Sequence, residues 1–140
     1  MEWMILPYKR YADFSGRSRR LEYWMFTLFY ILVIALLVIL AVAFDPSWQT
    51  GVVGDEDLGA ASAAVLIVLG LFALGSIIPS IAVAVRRFHD QDKSGWMYLL
   101  SFIPYVGGII VLVFMCFDGT PGENSYGPDP KGGSPADVFA

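Results

Sequence analysis

AASAAVLIVLGLFALGSIIPSIAVAVRRFHDQDKSGW, residues 60–96, decides what kind of protein this is. From Ala60 to Val85 it contains no charged side chain. As a helix these about 26 residues would measure about 39 Å, more than the roughly 30 Å of bilayer hydrocarbon, so a tilted or kinked membrane helix is expected. Pro79 lacks a backbone donor and is the expected kink site. Ser76, Ser80 and Ala84 recur every fourth residue as a small-residue stripe for close helix packing, with packing inside one subunit favoured over a dimer seam. The run then stops in RRFHDQDKSGW, Arg86–Trp96, which crowds two arginines, the only histidine, two aspartates and a lysine together.

Toward the N-terminus, Tyr23 to Phe44 is likewise uncharged. Its about 22 residues would reach about 33 Å, and Tyr23 and Trp24 suit the aromatic belt at a membrane surface. Ala41-Val42-Ala43 resembles a signal-peptidase site, but the apolar stretch is longer than a usual signal core, so an uncleaved anchor is expected. Residues 1–22 interleave Trp3, Tyr8 and Tyr11 with Lys9, Arg10, Arg17, Arg19 and Arg20, the pattern of a segment lying at the headgroups. Asp13–Arg17 is expected to turn, Ser18 to cap the next helix and Glu22 to sit in its first turn, where a negative charge suits the helix dipole.

Toward the C-terminus, Trp96 to Phe117 is a third apolar run, interrupted by Pro104, Gly107 and Gly108. One kinked spanning helix is favoured over a re-entrant pair of short helices, which would need its broken backbone shielded. Residues 118–140 are glycine- and proline-rich and should form an irregular tail with turns. The expected fold is therefore an all-α membrane protein. It is a single membrane domain, 1–140, with spans at 23–44, 60–85 and 96–117, an acidic loop at 45–59 and a basic loop at 86–95.

Composition agrees. Hydrophobic residues make up 56% of the 140 and charged ones 16%, with mean hydropathy +0.61, too much apolar surface for a small water-soluble core. All but one of the nine lysines and arginines fall in 9–20 or 86–93, Lys131 being the exception, while 45–59 has none. By the positive-inside rule the N-terminus and the basic loop face the cytoplasm and the acidic loop faces outward. Three spans put the tail outside; a re-entrant third run puts it in the cytoplasm.

Arg17, Arg19, Arg20, Arg86 and Arg87 should share one membrane face. Such arginines commonly snorkel as interface anchors. They would also form a basic collar for lipid phosphates, which guanidinium groups grip bidentately. Asp90 and Asp92 are expected to pair with neighbouring Arg or Lys, including Lys93, with Asp90 orienting His89 through a ring nitrogen. His89 is the one candidate proton carrier, but no partner nucleophile accompanies it. Ser94-Gly95-Trp96 reads as a cap and turn, with Trp96 an interface anchor. His89-Asp90 is similar to part of a metal-dependent phosphohydrolase motif, yet one histidine and one cysteine cannot complete a metal site. Cys116, alone, is expected to be a packing residue. No phosphate loop, nucleophile elbow, cofactor motif or nucleic-acid face is present, and the apolar runs hold no charge for an ion path.

FSGRSRRLEYW (Phe14–Trp24), RRFHDQDKSGW (Arg86–Trp96) and GTPGENSYGPDP (Gly119–Pro130) together resemble the bacterial membrane family known as domain of unknown function 805, in order and over nearly the whole chain. The resemblance implies a small inner-membrane protein and implies no activity; the acidic connection looks longer than is usual in the family. The expected function is non-enzymatic. The Phe14–Arg20 and Arg86–Lys93 stretches would form a cytoplasmic platform for anionic lipid headgroups or a membrane-protein partner. The alternative is an oligomeric transporter or channel subunit, and the least favoured reading is a headgroup enzyme using His89 and Asp90.

Overall fold

The computed structural model describes residues 2–45 and 59–132. Their regular structure is helical: α1 (Glu2–Lys9), α2 (Arg20–Ala43), α3 (Ala60–Asp90), a 3-10 helix (Gly95–Phe102) and α4 (Gly107–Cys116). An isolated bridge joins Asn124 and Gly127, and no strand forms among the described residues. The acidic connection, apart from Asp45 and Gly59, lies outside them, as do residues 133–140.

Helices α2 and α3, of 24 and 31 residues, are long and apolar enough to cross a membrane. At 1.5 Å per residue they measure about 36 and 46 Å. Helix α2 starts at Arg20, slightly before the expected boundary. Ser18 does not cap it through its side chain: the Ser18 N–H donates to the Arg86 carbonyl at 3.1 Å, and its buried Oγ has no hydrogen-bond partner. Helix α3 runs through Pro79 and on to Asp90, so half of the expected basic loop is helical. It stops because Asp92 takes a left-handed conformation (φ 54°). The Asp92 and Lys93 amides then donate back to the His89 and Phe88 carbonyls, both at 3.0 Å. This is the Schellman arrangement, with aspartate where glycine is usual.

The third apolar run differs from the single kinked helix expected. It divides into the 3-10 helix and α4, with Ile103–Val106 between them. Pro104 cannot continue a hydrogen-bonded ladder, and Tyr105 reverses the chain at φ 67°. Gly107 lets the pieces meet, since a Cβ there would lie 2.1 Å from the Leu100 carbonyl oxygen.

The chain forms two compact units. One runs from Leu28 to Ile77 and consists of the remainder of α2 and the beginning of α3. Tyr30 and Phe72 stack within it at 5.7 Å, while Ile31, Leu36, Ile39, Ile67, Leu71 and Leu74 stand exposed. Exposed leucine and isoleucine in such number mark a surface whose solvent is lipid. The other unit takes the chain up to Thr27 and from Ile78 onward. Its centre is Phe88, Val111 and Met115, packed by Tyr23, Met97, Tyr98, Leu100 and Phe114. Phe26 is also buried, with Tyr8 against it at 5.3 Å.

Candidate functional site

The last turn of α3 organises the second unit. Arg86 and Arg87 are both fully buried. A buried guanidinium must be paired and hydrogen-bonded or it would cost several kcal/mol. Arg86 donates to Glu22 of α2 at 2.8 Å and to the Asp13 carbonyl at 2.8 Å. Arg87 pairs with Asp90 three residues on and donates to the Phe117 carbonyl. Arg17 reaches the other Asp90 oxygen at 3.0 Å, so one carboxylate serves two arginines. With three arginines against Glu22 and Asp90, the cluster holds one excess positive charge. Backbone carbonyls also receive Arg17, which donates to Thr120 and Gly122, both at 2.5 Å, while Nε of Arg86 and of Arg87 have no hydrogen-bond partner among the described residues.

The tail completes this arrangement. Thr120 donates its N–H to the Asp90 carbonyl at 2.8 Å, and Asn124 Nδ2 donates to the His89 carbonyl at 2.9 Å. These are end-of-helix carbonyls, which lack partners within α3 itself. Helix α4 is finished the same way: its last carbonyls receive Gln91 (on Phe114, 2.6 Å) and Arg20 (on Cys116, 3.1 Å). Gly119 passes so close to Asp90 that a Cβ would fall 2.0 Å from its carboxylate.

The expected basic collar thus divides. Arg17, Arg86 and Arg87 are interior struts, each committed to a carboxylate. Arg19 and Arg20 remain outward. Arg19 lies over the Trp3 ring at 5.4 Å and donates to the Pro130 carbonyl. Arg20 meets Asp118 at 2.7 Å, and Asp118 also meets Lys131 at 3.2 Å. Arg19, Arg20 and Lys131 border an open cleft of about 670 Å³ whose other walls are Leu21, Trp24 and Cys116. Lys93 sits over the Phe114 ring at 5.8 Å. Cys116 is exposed, not a core residue as expected. Of the small-residue stripe, Ser76 and Ala84 are buried by the chain itself and Ser80 is half-buried.

His89 departs from expectation. Asp90 does not orient it; its Nδ1 faces the Gly16 carbonyl at 3.2 Å. Tyr126 stacks on its ring at 3.9 Å with planes 5° apart. Asp92 has no ion pair among the described residues and accepts from the Ser125 N–H at 3.2 Å. Ser94 caps the 3-10 helix as expected, accepting from the Trp96 N–H at 3.4 Å. A second cleft of about 440 Å³ opens beside His89, between Val85, Gly95, Trp96 and Tyr126. From the sequence the tail reads as irregular and as part of a resemblance, and no role attaches to Thr120, Asn124 or Tyr126, because none carries a local signal of the distant carbonyl or ring it meets.

Three carboxylates, Asp118 exposed and Asp13 and Asp129 half-buried, are held below their ordinary range. Asp13 is lowered by hydrogen bonds from the Ser15 hydroxyl and from Arg10, within the expected 13–17 turn that Gly16 completes at φ 75°. Asp118 is lowered by Lys131 and by the charge of Arg20, and Asp129 by the backbone N–H groups of Lys131 and Gly122. No cluster of three or more metal-ligating side chains occurs among the described residues.

A family described as Protein of unknown function (DUF805) matches residues 11–128. The inner membrane protein YhaI of Escherichia coli K12 is 40% identical over 134 residues, 96% of this chain and 99% of that relative. The inner membrane protein YhaH of the same strain is 41% identical over 131 residues, 94% of this chain and 98% of that relative. No solved structure matches the chain.

Proposed function

The chain belongs to the domain of unknown function 805 family of inner-membrane proteins, and from that premise we propose that it binds anionic lipid headgroups, without catalysis, on the cytoplasmic side. In this reading α2 and α3 are the two spans. The N-terminal segment, the end of α3 and the tail share the cytoplasmic surface, in keeping with the positive-inside rule. The 3-10 helix and α4 form a re-entrant hairpin from that surface. Their 8 and 10 residues reach about 16 and 15 Å, half the hydrocarbon depth. The hairpin tip suits that depth: the Ile103, Val106 and Gly107 amides donate to Leu100, Pro104 and Ile103 carbonyls, and Pro104 has no N–H to satisfy.

The carrying observation is the cleft between Arg19, Arg20 and Lys131. It combines three outward cations with the apolar floor of Leu21 and Trp24, a match for a phosphate above an acyl chain. Asp118 neutralises one of the three, leaving a net positive site. Because Arg17, Arg86 and Arg87 are interior, the test leaves them alone. Arg19→Gln, Arg20→Gln and Lys131→Gln together should reduce co-purifying phosphatidylglycerol about tenfold, at roughly 1 kcal/mol or less per lost contact. Undiminished phosphatidylglycerol in a folded triple variant would overturn the proposal. An oligomeric transporter would need a packing face for another copy, and of the small-residue stripe Ser76 and Ala84 are buried within this chain and Ser80 is half-buried. For the headgroup-enzyme reading, Asp90 is occupied by two arginines and the His89 Nδ1 faces a backbone carbonyl.

A further inference from the structure

The geometry points to a second lipid site, distinct from the cationic cleft: the cavity beside His89 takes a neutral, hydroxyl-bearing aromatic lipid head, a quinol. The 440 Å³ volume lies in the range of small-ligand sites. Its walls carry no lysine, arginine, aspartate or glutamate. An anionic headgroup placed there would be desolvated without a countercharge, so the occupant is neutral.

Three further features narrow its chemistry. First, the Gly16 carbonyl can only accept, so His89 Nδ1 carries the proton and donates to it, leaving Nε2 a bare acceptor in the neutral ring. Nε2 faces the cavity beside Gly95, where a Cβ would stand 3.2 Å from it and 2.6 Å from Val85 Cγ1. The glycine keeps the space before this acceptor clear. A ligand that brings a hydrogen-bond donor, as a hydroxyl does and a quinone carbonyl does not, satisfies this acceptor, and its oxygen can in turn accept from a hydroxyl of the lining, where Ser94, Tyr98 and Tyr126 stand. Second, rings surround the opening: Phe14, Trp96, Tyr98 and Tyr126 join His89. The Tyr126 ring is already stacked on the imidazole. Such walls favour a planar aromatic head over an aliphatic alcohol. Third, Ile81 and Leu99 also line the cavity, and both belong to apolar segments. Ile81 lies about 12 Å along α3 from His89, at 1.5 Å per residue. A lipid tail thus has an apolar path leading from the head. Trp96, 78% exposed, stands at the mouth.

Binding is tested with the full chain in phosphatidylcholine nanodiscs, titrated with a benzoquinol bearing a ten-carbon side chain and compared with empty nanodiscs. Saturable binding above the empty-disc signal is expected. The oxidised quinone, lacking the donor, should bind about tenfold more weakly, as should decanol, which lacks the ring. Leu99→Trp, at an exposed position, fills the cavity without touching the core, and Gly95→Ala blocks Nε2; each should lower quinol affinity about tenfold. If Gly95→Ala fails to fold, Leu99→Trp carries the test alone. Equal quinol binding by the wild type and a folded Leu99→Trp variant, or equal affinity for quinol and decanol, would overturn the proposal. Arg19, Arg20 and Lys131 line the other cleft, so loss of phosphatidylglycerol binding in their variants leaves this result unaffected.

Discussion

Asp90 shows how much a single carboxylate carries here. Its two oxygens meet Arg17 and Arg87, and its backbone carbonyl receives Thr120. Asp90→Asn would keep the shape but leave two buried guanidinium groups sharing no countercharge. Removing one partner of a buried pair costs about 3–5 kcal/mol, so the variant should unfold at markedly lower temperature in detergent, as followed by circular dichroism. A melting point within a few degrees of wild type would mean that the carbonyls of Thr120, Gly122 and Phe117 suffice. Asp90→Glu should not restore stability, because Gly119 leaves no room beside the carboxylate. That Asp90 would pair with arginine was legible from their spacing. That Arg86 would choose Glu22, and His89 the Gly16 carbonyl, was not, because both partners lie more than 60 residues away and carry no local signature.

At the level of elements, the hairpin rests on Gly107, and the far part of the tail carries two titrating carboxylates. Gly107→Ala drives a methyl into the Leu100 backbone, which cannot rotate aside as a side chain would. A cost of about 1–3 kcal/mol is expected, read as earlier proteolytic cleavage within residues 95–117 than in wild type. The tail is pH-sensitive. Asp118 and Asp129 have folded-state values below the ordinary ones, so their stabilisation is fully present above about pH 4 and is lost as pH falls through the lowered values. Acidification below pH 4 should therefore loosen the tail around Asp118 and Asp129, seen as faster amide hydrogen exchange at 129–132, while Thr120 and Asn124 keep their contacts with the end of α3; Lys131→Gln should loosen this stretch already at neutral pH and shrink its pH dependence, because its hydrogen bond is the main cause of the Asp118 shift. Hydropathy identified α2 and α3, but it ended α3 at Val85, five residues short of Asp90, because the charged turn that follows carries no hydropathy signal. For residues 96–117 it placed the break at Pro104–Gly108 but favoured one kinked helix over the pair of short ones that forms. Pro104 announces a break, but whether the chain then continues or folds back depends on the close approach at Gly107, which hydropathy does not register.

For the whole molecule, the decisive question is on which side of the membrane the tail lies. The tail binds Arg17, and residues 120 and 124 cap α3. These contacts can persist only if the tail stays on the side where α3 ends. A third span would carry residues after Phe117 across the bilayer and strip Arg17, Asp90 and the end of α3 of these partners, at the cost of buried groups left unsatisfied. In the two-span reading a cysteine placed at exposed Ser125, in a Cys116→Ser background, should resist a membrane-impermeant maleimide in intact spheroplasts and react in inverted vesicles. A cysteine at Asp55, in the acidic connection, should show the reverse, which makes it the internal control for sidedness. Labelling of both positions in spheroplasts would restore three spans. The tail contacts with Arg17 and the end of α3 would then have to be abandoned, since residues on opposite faces of a bilayer cannot share hydrogen bonds.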